Sequence, residues 1–189
     1  MSDQDTGANE AGNAAPTGQP QQQALPSIGV LTQYVKDLSF ENPHAPRALT
    51  QQTGNPRIEI AVNVVANPIG TDTFEVDLTI DAKAKGKGGE NDSEDVIVFA
   101  TDLTYGGVFR IQNVAQESLH PLVMIECPRI LFPFARQVIA EATRNGGFPP
   151  LLIDPIDFSV LYRQKLAQQA QAAAKAAENG GGSPVEGHA

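Results

Sequence analysis

Tryptophan is absent from this 189-residue chain, cysteine occurs once, histidine three times, and aromatic residues make up only 6%. The single cysteine, Cys127, excludes an internal disulfide and suits a reducing compartment. Cys127 together with His44, His120 and His188 is too sparse and too dispersed a set for a metal site, and no cofactor is expected. Cys127 with His120 invites a thiol-nucleophile reading, but no third group stands at a spacing that completes a triad. A small buried hydrophobe before a proline is the simpler account of Cys127. Long apolar runs are missing too: none approaches the ~20 residues needed to span a bilayer. The first residues lack a charged segment followed by an apolar run, so no signal peptide and no membrane insertion are expected, and the location expected is cytoplasmic. Positive charge is scarce, 13 Lys+Arg against 22 Asp+Glu for a net charge of −9. The only basic cluster, Lys83, Lys85 and Lys87, lies between Asp81 and the acidic stretch Glu90–Asp95. Nucleic-acid binding wants a concentrated positive stripe and is not expected.

The ends are poor in anything that folds. Residues 1–27 hold no aromatic side chain and only Met1 and Leu25 as large apolar residues. Such a segment buries too little area to repay its ordering entropy, so a disordered tail is expected there. From Ala167 the chain is again free of aromatics; an Ala/Gln-rich run that can extend a helix gives way to Asn179-Gly-Gly-Gly-Ser-Pro. The folded body expected is residues 28–166, a single domain.

Within that body the hydrophobic period is first two and later near 3.6. Gln33–Glu41 alternates, with Tyr34, Lys36, Leu38 and Phe40 in one row and Val35, Asp37, Ser39 and Glu41 in the other. A proline-rich connection follows. Arg57–Ala66 and Thr73–Ala82 alternate again and are joined by a short turn, and Val96–Leu103 continues to Ile111 through Gly106-Gly107, where a bulge or bend is expected. Three hairpin-linked strands and one strand reached by a long crossover predict a four-stranded antiparallel Greek-key sheet. Pro133 at a first-turn position, then Phe134, Val138 and Ala142, predict a helix over 133–144 stopped by Gly146-Gly147, with a shorter helical piece near 117–126. Asp157 is the expected N-cap of a second helix carrying Phe158, Leu161, Tyr162 and Leu166 on one face. Strands first and helices afterwards make an α+β fold, with two main helices on one face of the sheet.

Nothing in this body nominates an enzyme. Carboxylates such as Glu75, Asp77 and Asp81 fall on the outward row of a strand, where polar residues are needed in any case. Gly86, Gly88 and Gly89 lack the strand–turn–helix setting and the Lys-Ser/Thr of a phosphate-binding loop.

Four motifs carry a resemblance. Lys36-Asp-Leu-Ser-Phe-Glu-Asn-Pro-His-Ala-Pro46, Tyr105-Gly-Gly-Val-Phe109, Cys127-Pro-Arg-Ile-Leu-Phe-Pro-Phe-Ala-Arg136 and Gly147-Phe-Pro-Pro-Leu151 with Pro155-Ile-Asp-Phe158 stand in the order seen in SecB, the bacterial export chaperone. The chain resembles that family over roughly residues 33–166. The resemblance implies an ATP-independent holdase that keeps unfolded precursor polypeptides export-competent and delivers them to the SecA ATPase. It also implies a homotetramer built as a dimer of dimers, with the helices after the Cys-Pro motif sandwiched between sheets. Phe99, Thr101, Leu103 and Tyr105, which share one strand face, are the contact or core positions it implies, and with Phe134 and Val138 they are the expected oligomer interface. SecA would dock through Asp37, Glu41 and Asp102, with Ala100 at the family's apolar position. A client groove would draw on Phe40, Pro43, Val64, Val65, Phe74, Leu151, Leu152, Ile153, Phe158 and Leu161. Val64 and Val65 are consecutive, so only one of them can face the core. A structural oligomer or adaptor that docks one folded partner through its acidic face is the alternative from another class.

Overall fold

The computed structural model describes residues 25–50, 55–87 and 95–179. The N-terminal segment through residue 24, most of the acidic stretch Glu90–Asp95 and His188 lie outside the described residues. The elements in order are β1 (Ser27–Glu41), α1 (Arg47–Thr50), β2 (Arg57–Pro68), β3 (Thr73–Gly86), β4 (Val96–Gln112), α2 (Gln116–Asn145) and α3 (Phe158–Asn179). All strand pairs are antiparallel in the order β1-β4-β3-β2, so the first strand lies beside the fourth, as a Greek key requires. β1 and β2 are the two edges, and the crossover between Glu41 and Arg57 carries the chain from one edge to the other. The β2–β3 turn is closed by the amides of Ile69 and Gly70, which donate to the Thr73 carbonyl at 2.9 and 3.2 Å.

Alternation gives the sheet two unlike faces. Val76, Leu78, Ile80, Ala82 and Ala84 of β3 are fully buried on the helix side, while Glu75, Asp77, Thr79 and Asp81 lie on the other. On β4 the helix side is Phe99, Thr101, Leu103 and Tyr105, in register with Ala84, Ala82, Ile80 and Leu78, and then Phe109 opposite Phe74.

β1 departs from the simple alternation. Its pairing with β4 shifts between Val30 and Thr32 and again between Val35 and Asp37, leaving Leu31 and Lys36 as the extra residues of two bulges. Each bulge inverts the phase of the strand before it. Tyr34 and Lys36 therefore lie on the polar face, where both reach Glu75, instead of sharing a row with Leu38 and Phe40. Val35, expected outward, pairs with Tyr105 on the helix side.

No bulge occurs at Gly106-Gly107, which pair in unbroken register with Asp77 and Val76. These glycines serve close approach. A Cβ on Gly106 would stand 2.8 Å from Tyr34 Cε2, and one on Gly107 would stand 2.7 Å from Leu131 Cδ2.

The helical region also differs from expectation. Residues 116–145 form one 30-residue helix, with Pro121, Pro128 and Pro133 inside it, where a helix over 133–144 and a separate shorter piece near 117–126 were expected. An interior proline removes a backbone donor and costs about 3 kcal/mol or more. Against that, Val123, Cys127, Leu131, Ala135, Ile139 and Thr143 form a buried row at four-residue spacing along the sheet. Each large side chain buried this way contributes about 1.5–3 kcal/mol, and Met124 and Phe132 add to the row. Tertiary burial overrides the local propensity.

At its C-terminus α2 stops as expected. The Gly146 and Gly147 amides donate to Ala142 and Arg144 carbonyls, and Gly147 takes φ +90°, a left-handed value that suits glycine. Thr143 then fixes the next segment, its hydroxyl accepting from the Leu151 amide at 2.9 Å. Asp157 caps α3 through Oδ1, which accepts from the amides of Ser159 and Val160 at 2.9 and 3.2 Å. Those bonds to the charged form hold its carboxyl below the usual carboxylate range. α3 continues past Leu166 to Asn179 through the Ala/Gln-rich run.

Candidate functional site

Four cavities follow β2 along the helix side. The first, about 290 Å³, is lined by Ile58 with Phe99, Phe148, Pro149, Pro150 and Leu151. Next comes one of about 230 Å³ between Val62–Val64 and Met124, Leu161, Tyr162 and Lys165. A third, about 210 Å³, lies between Val64–Ala66 and His120, Tyr162, Lys165 and Leu166. The last, about 240 Å³, is bounded by Ala66, Pro68, Phe74, Leu119, His120 and Val123. The second and third share Val64 and Lys165, and the third and fourth share Ala66 and His120. Together they border β2, a strand of 12 residues and hence about 40 Å, at Ile58 and again from Val62 to Pro68, with exposed Ile60 between them.

The first cavity has an aromatic wall. Phe99 and Phe148 have ring centroids 4.8 Å apart, and Phe40 lies 5.9 Å from Phe99 and 6.5 Å from Phe148. Gly146 makes room for Phe40: a Cβ there would fall inside contact distance of the ring. At the far end His120 Nδ1 and the Tyr162 hydroxyl share a 2.9 Å hydrogen bond that ties α2 to α3.

The expected groove residues divide. Leu151, Val64, Leu161, Val65 and Phe74 line these cavities, and Phe40 belongs to the aromatic wall. Of the valine pair, Val64 is buried at 3% exposure and Val65 stands out at 42%. Ile153 and Phe158 lie beneath the groove in the core, whereas Pro43 and Leu152 are exposed and border none of the four. Ile58, Phe148, Pro149, Tyr162, Met124 and Lys165 were missed. Phe148-Pro-Pro was visible as an irregular apolar stretch; Ile58 needed the placement of that stretch beside β2, and the others the placement of α3 there.

The opposite face of the sheet is a charged surface. Lys36 Nζ reaches Glu75 Oε1 at 3.0 Å and Asp77 Oδ2 at 2.6 Å, and the Tyr34 hydroxyl donates to Glu75 Oε1 at 2.5 Å. Donation from Tyr34 and then Lys36 holds the Glu75 carboxyl below its ordinary range, and the same bond to Glu75 raises the Tyr34 phenol. Asp81 pairs with Lys83, and Glu59 pairs with Arg57 and Lys85. Asp37, Glu41 and Asp102 have no such partner among the described residues. Register brings them together: Ser39, between Asp37 and Glu41, pairs with Asp102, and Glu41 pairs with half-buried Ala100.

A third surface is apolar and uncovered. Val30, Val35 and Leu38 sit on the helix side of β1 yet stay exposed, as do Leu31 at the bulge and, at 47%, Phe134 of α2. Phe134 stacks on Tyr105 at 6.5 Å. Phe99, Thr101, Leu103 and Tyr105 themselves lie in the interior of the single chain, with the Thr101 hydroxyl donating to the Ser39 carbonyl at 3.0 Å. Val138 is half-buried against the main core. Cys127 is fully buried, and burial pushes its thiol up to about 12, so it stays protonated at neutral pH. Among the described residues no three His, Cys, Asp or Glu stand where they could hold a metal ion, and no helix is long and apolar enough to cross a membrane.

Residues 21–169 match the family described as SecB, preprotein translocase subunit SecB. The chain belongs to the SecB family. Its relatives include the protein-export protein SecB of Afipia carboxidovorans, 56% identical over 167 residues that cover 88% of this chain and 94% of that protein. Another is the protein-export protein SecB of Rhodopseudomonas palustris strain BisB18, 54% identical, with 88% and 96% covered. That of Azorhizobium caulinodans is 51% identical, with 84% and 94% covered. Among solved structures, a Mycobacterium tuberculosis SecB-like chaperone, Rv1957, in complex with a ChAD peptide from the Rv1956 HigA1 antitoxin, aligns with TM-score 0.49 and 17% identity over 68% of this chain and 90% of that one.

In this SecB-family chain the aromatic wall depends on Gly146, whose φ of −73° any residue adopts, so the constraint there is steric. Gly146→Ala should drive the Phe40 ring out of its packing and destabilise the fold by about 1–3 kcal/mol. Urea denaturation reads this as a lower midpoint at unchanged slope; an unmoved midpoint would show that Phe40 is not held against Gly146.

Proposed function

We propose that the chain is an ATP-independent holdase acting in the cytoplasm, which binds unfolded precursor polypeptides in the trough along β2 and hands them to SecA. The observation that carries this reading is the row of four cavities spaced along an edge strand from Ile58 to Pro68. An extended chain has the same repeat as the strand beside it, so successive side chains can drop into successive cavities. Apolar burial contributes about 25 cal/mol per Å² and is partly offset by the ordering of the bound segment. Open, shallow cavities discriminate little between apolar side chains, which suits a partner of many sequences.

The two remaining surfaces support the rest of the reading. Exposed Val30, Val35, Leu38 and Phe134 need covering, and a homotetramer assembled as a dimer of dimers through β1 and α2 would cover them. Several troughs per tetramer, engaged by one long chain, would give avidity without sequence specificity. On the polar face Glu59, Glu75, Asp77 and Asp81 are each paired with a basic side chain of the same face, which leaves Asp37, Glu41 and Asp102, flanked by Ala100, to attract a basic SecA surface. That face and the trough lie on opposite sides of the sheet, so client and SecA can be held at once.

Client binding is checked with a tryptophan-containing secretory precursor, titrated once unfolded and once fully folded; this chain has no tryptophan, so emission reports the client alone. Saturable binding of the unfolded form only is expected. Equal binding of both forms, or of neither, would leave the folded-partner adaptor as the better account.

The acidic face is tested with the triple variant D37N/E41Q/D102N. Its affinity for SecA should fall roughly tenfold or more at low salt and lose most of its ionic-strength dependence. Light scattering should still read about 80 kDa, four times the 20.0 kDa chain. Unchanged SecA affinity removes the docking assignment, and a single-chain mass for the parent removes the tetramer.

A further inference from the structure

Three bonds of the polar face skip a strand. Tyr34 and Lys36 belong to β1, Glu75 and Asp77 to β3, and β4 runs between them. Lys36 Nζ nevertheless reaches Glu75 Oε1 at 3.0 Å and Asp77 Oδ2 at 2.6 Å, and the Tyr34 hydroxyl donates to the same Glu75 oxygen. Neighbouring strands lie about 4.8 Å apart, so these contacts cross about 10 Å of sheet. Gly106 of β4 opens the path, pairing with Tyr34 on one side and with Asp77 on the other. A Cβ on it would stand 2.8 Å from the Tyr34 ring and 3.1 Å from Asp77 Oδ1.

The destination of this ammonium bears on the acidic row. Lys36 is the only basic residue of β1, and Asp37, the next residue, lies on the same face opposite Thr104. Released from β3, the ammonium would have the Asp37 carboxylate beside it and would cancel one of the charges left for docking. Two carboxylates hold it elsewhere. The Glu75 and Asp77 side chains are 22% and 13% exposed, whereas Asp37 is open to solvent, and an ion pair strengthens as water is withdrawn from it.

We propose that Glu75 and Asp77 are specificity-determining residues of the acidic face, a trap that draws the one cation of β1 across Gly106 and leaves Asp37 unmatched for a basic partner. Neither trap residue touches that partner; both act through Lys36 and Asp37. Tyr34 orients Glu75 for this role. The inference rests on the acidic face being the SecA surface.

The test measures SecA affinity at low salt with the full-length protein. E75Q/D77N should bind roughly 3- to 5-fold more weakly than the parent, a modest loss because exposed ion pairs are weak. Removing two negative charges would weaken any basic partner, so two triple variants of equal net charge separate the causes. E75Q/D77N/K36M should return to within about twofold of the parent, and E75Q/D77N/K85M, in which Glu59 keeps Arg57, should stay weak. D37N/E75Q/D77N should bind no more weakly than D37N, since the effect passes through Asp37. Parent affinity in E75Q/D77N, equal rescue by K36M and K85M, or a further loss in the D37N background overturns the trap while leaving the docking face intact. So does a loss of unfolded-precursor binding in E75Q/D77N that K36M does not reverse, because the pair then acts on the fold. Parent affinity in D37N removes Asp37 from the SecA surface and the trap with it.

Discussion

One helix laid across the two central strands decides where this molecule is closed and where it is open. α2 packs chiefly on β3 and β4 and far less on the edge strands β2 and β1. Its buried row from Val123 to Thr143 presses into the sheet so closely that Gly107 must lack a side chain beneath Leu131. Because the helix is narrower than the sheet, two flanks are left without its cover. On the β1 flank the uncovered surface is the apolar patch around Val35, Leu38 and Phe134. On the β2 flank it is the trough, which α3 and the Phe148–Ile153 segment border without filling.

That geometry also separates the two kinds of recognition. Apolar contact is confined to the helix side, where the hydrophobic effect acts and sequence matters little. The charged side chains of the strands lie on the far side, where most carboxylates are already neutralised by a lysine or arginine of the same face. A partner that reads charge meets only the few carboxylates left over. The bulge at Lys36 contributes to this arrangement: without it the ammonium would point toward the helices and leave Glu75 and Asp77 unmatched.

Much of this was legible in the residues. Strict alternation in Thr73–Ala82 gives β3 and its two faces, and Asp157 before an apolar helical period gives the start of α3. The acidic row Asp37, Ser39, Glu41 also keeps its face. What was not legible has a common cause, in that contacts distant in sequence overrule local rules. Three prolines argue against one continuous α2 until the sheet beneath it is known. The glycine pair at 106 and 107 looks like a bend, yet it accommodates Tyr34 on one face and Leu131 on the other. A bulge in β1 has no local signature in Tyr34-Val-Lys-Asp. The same holds for Lys165, an ordinary helix-surface lysine in sequence, which lines the trough only because α3 runs beside the β2 edge.

The central claim is that unfolded chains lie along β2 beneath α3. Hydrogen exchange of the full protein, with and without a saturating unfolded precursor, tests it directly, because the outward amides of an edge strand have no partner in the sheet. The account predicts slowed exchange in segments covering residues 57–68 and 148–166, and no change around Asp37, Glu41 and Asp102. Slowing confined to that acidic face, or no slowing anywhere with the precursor bound, would contradict it.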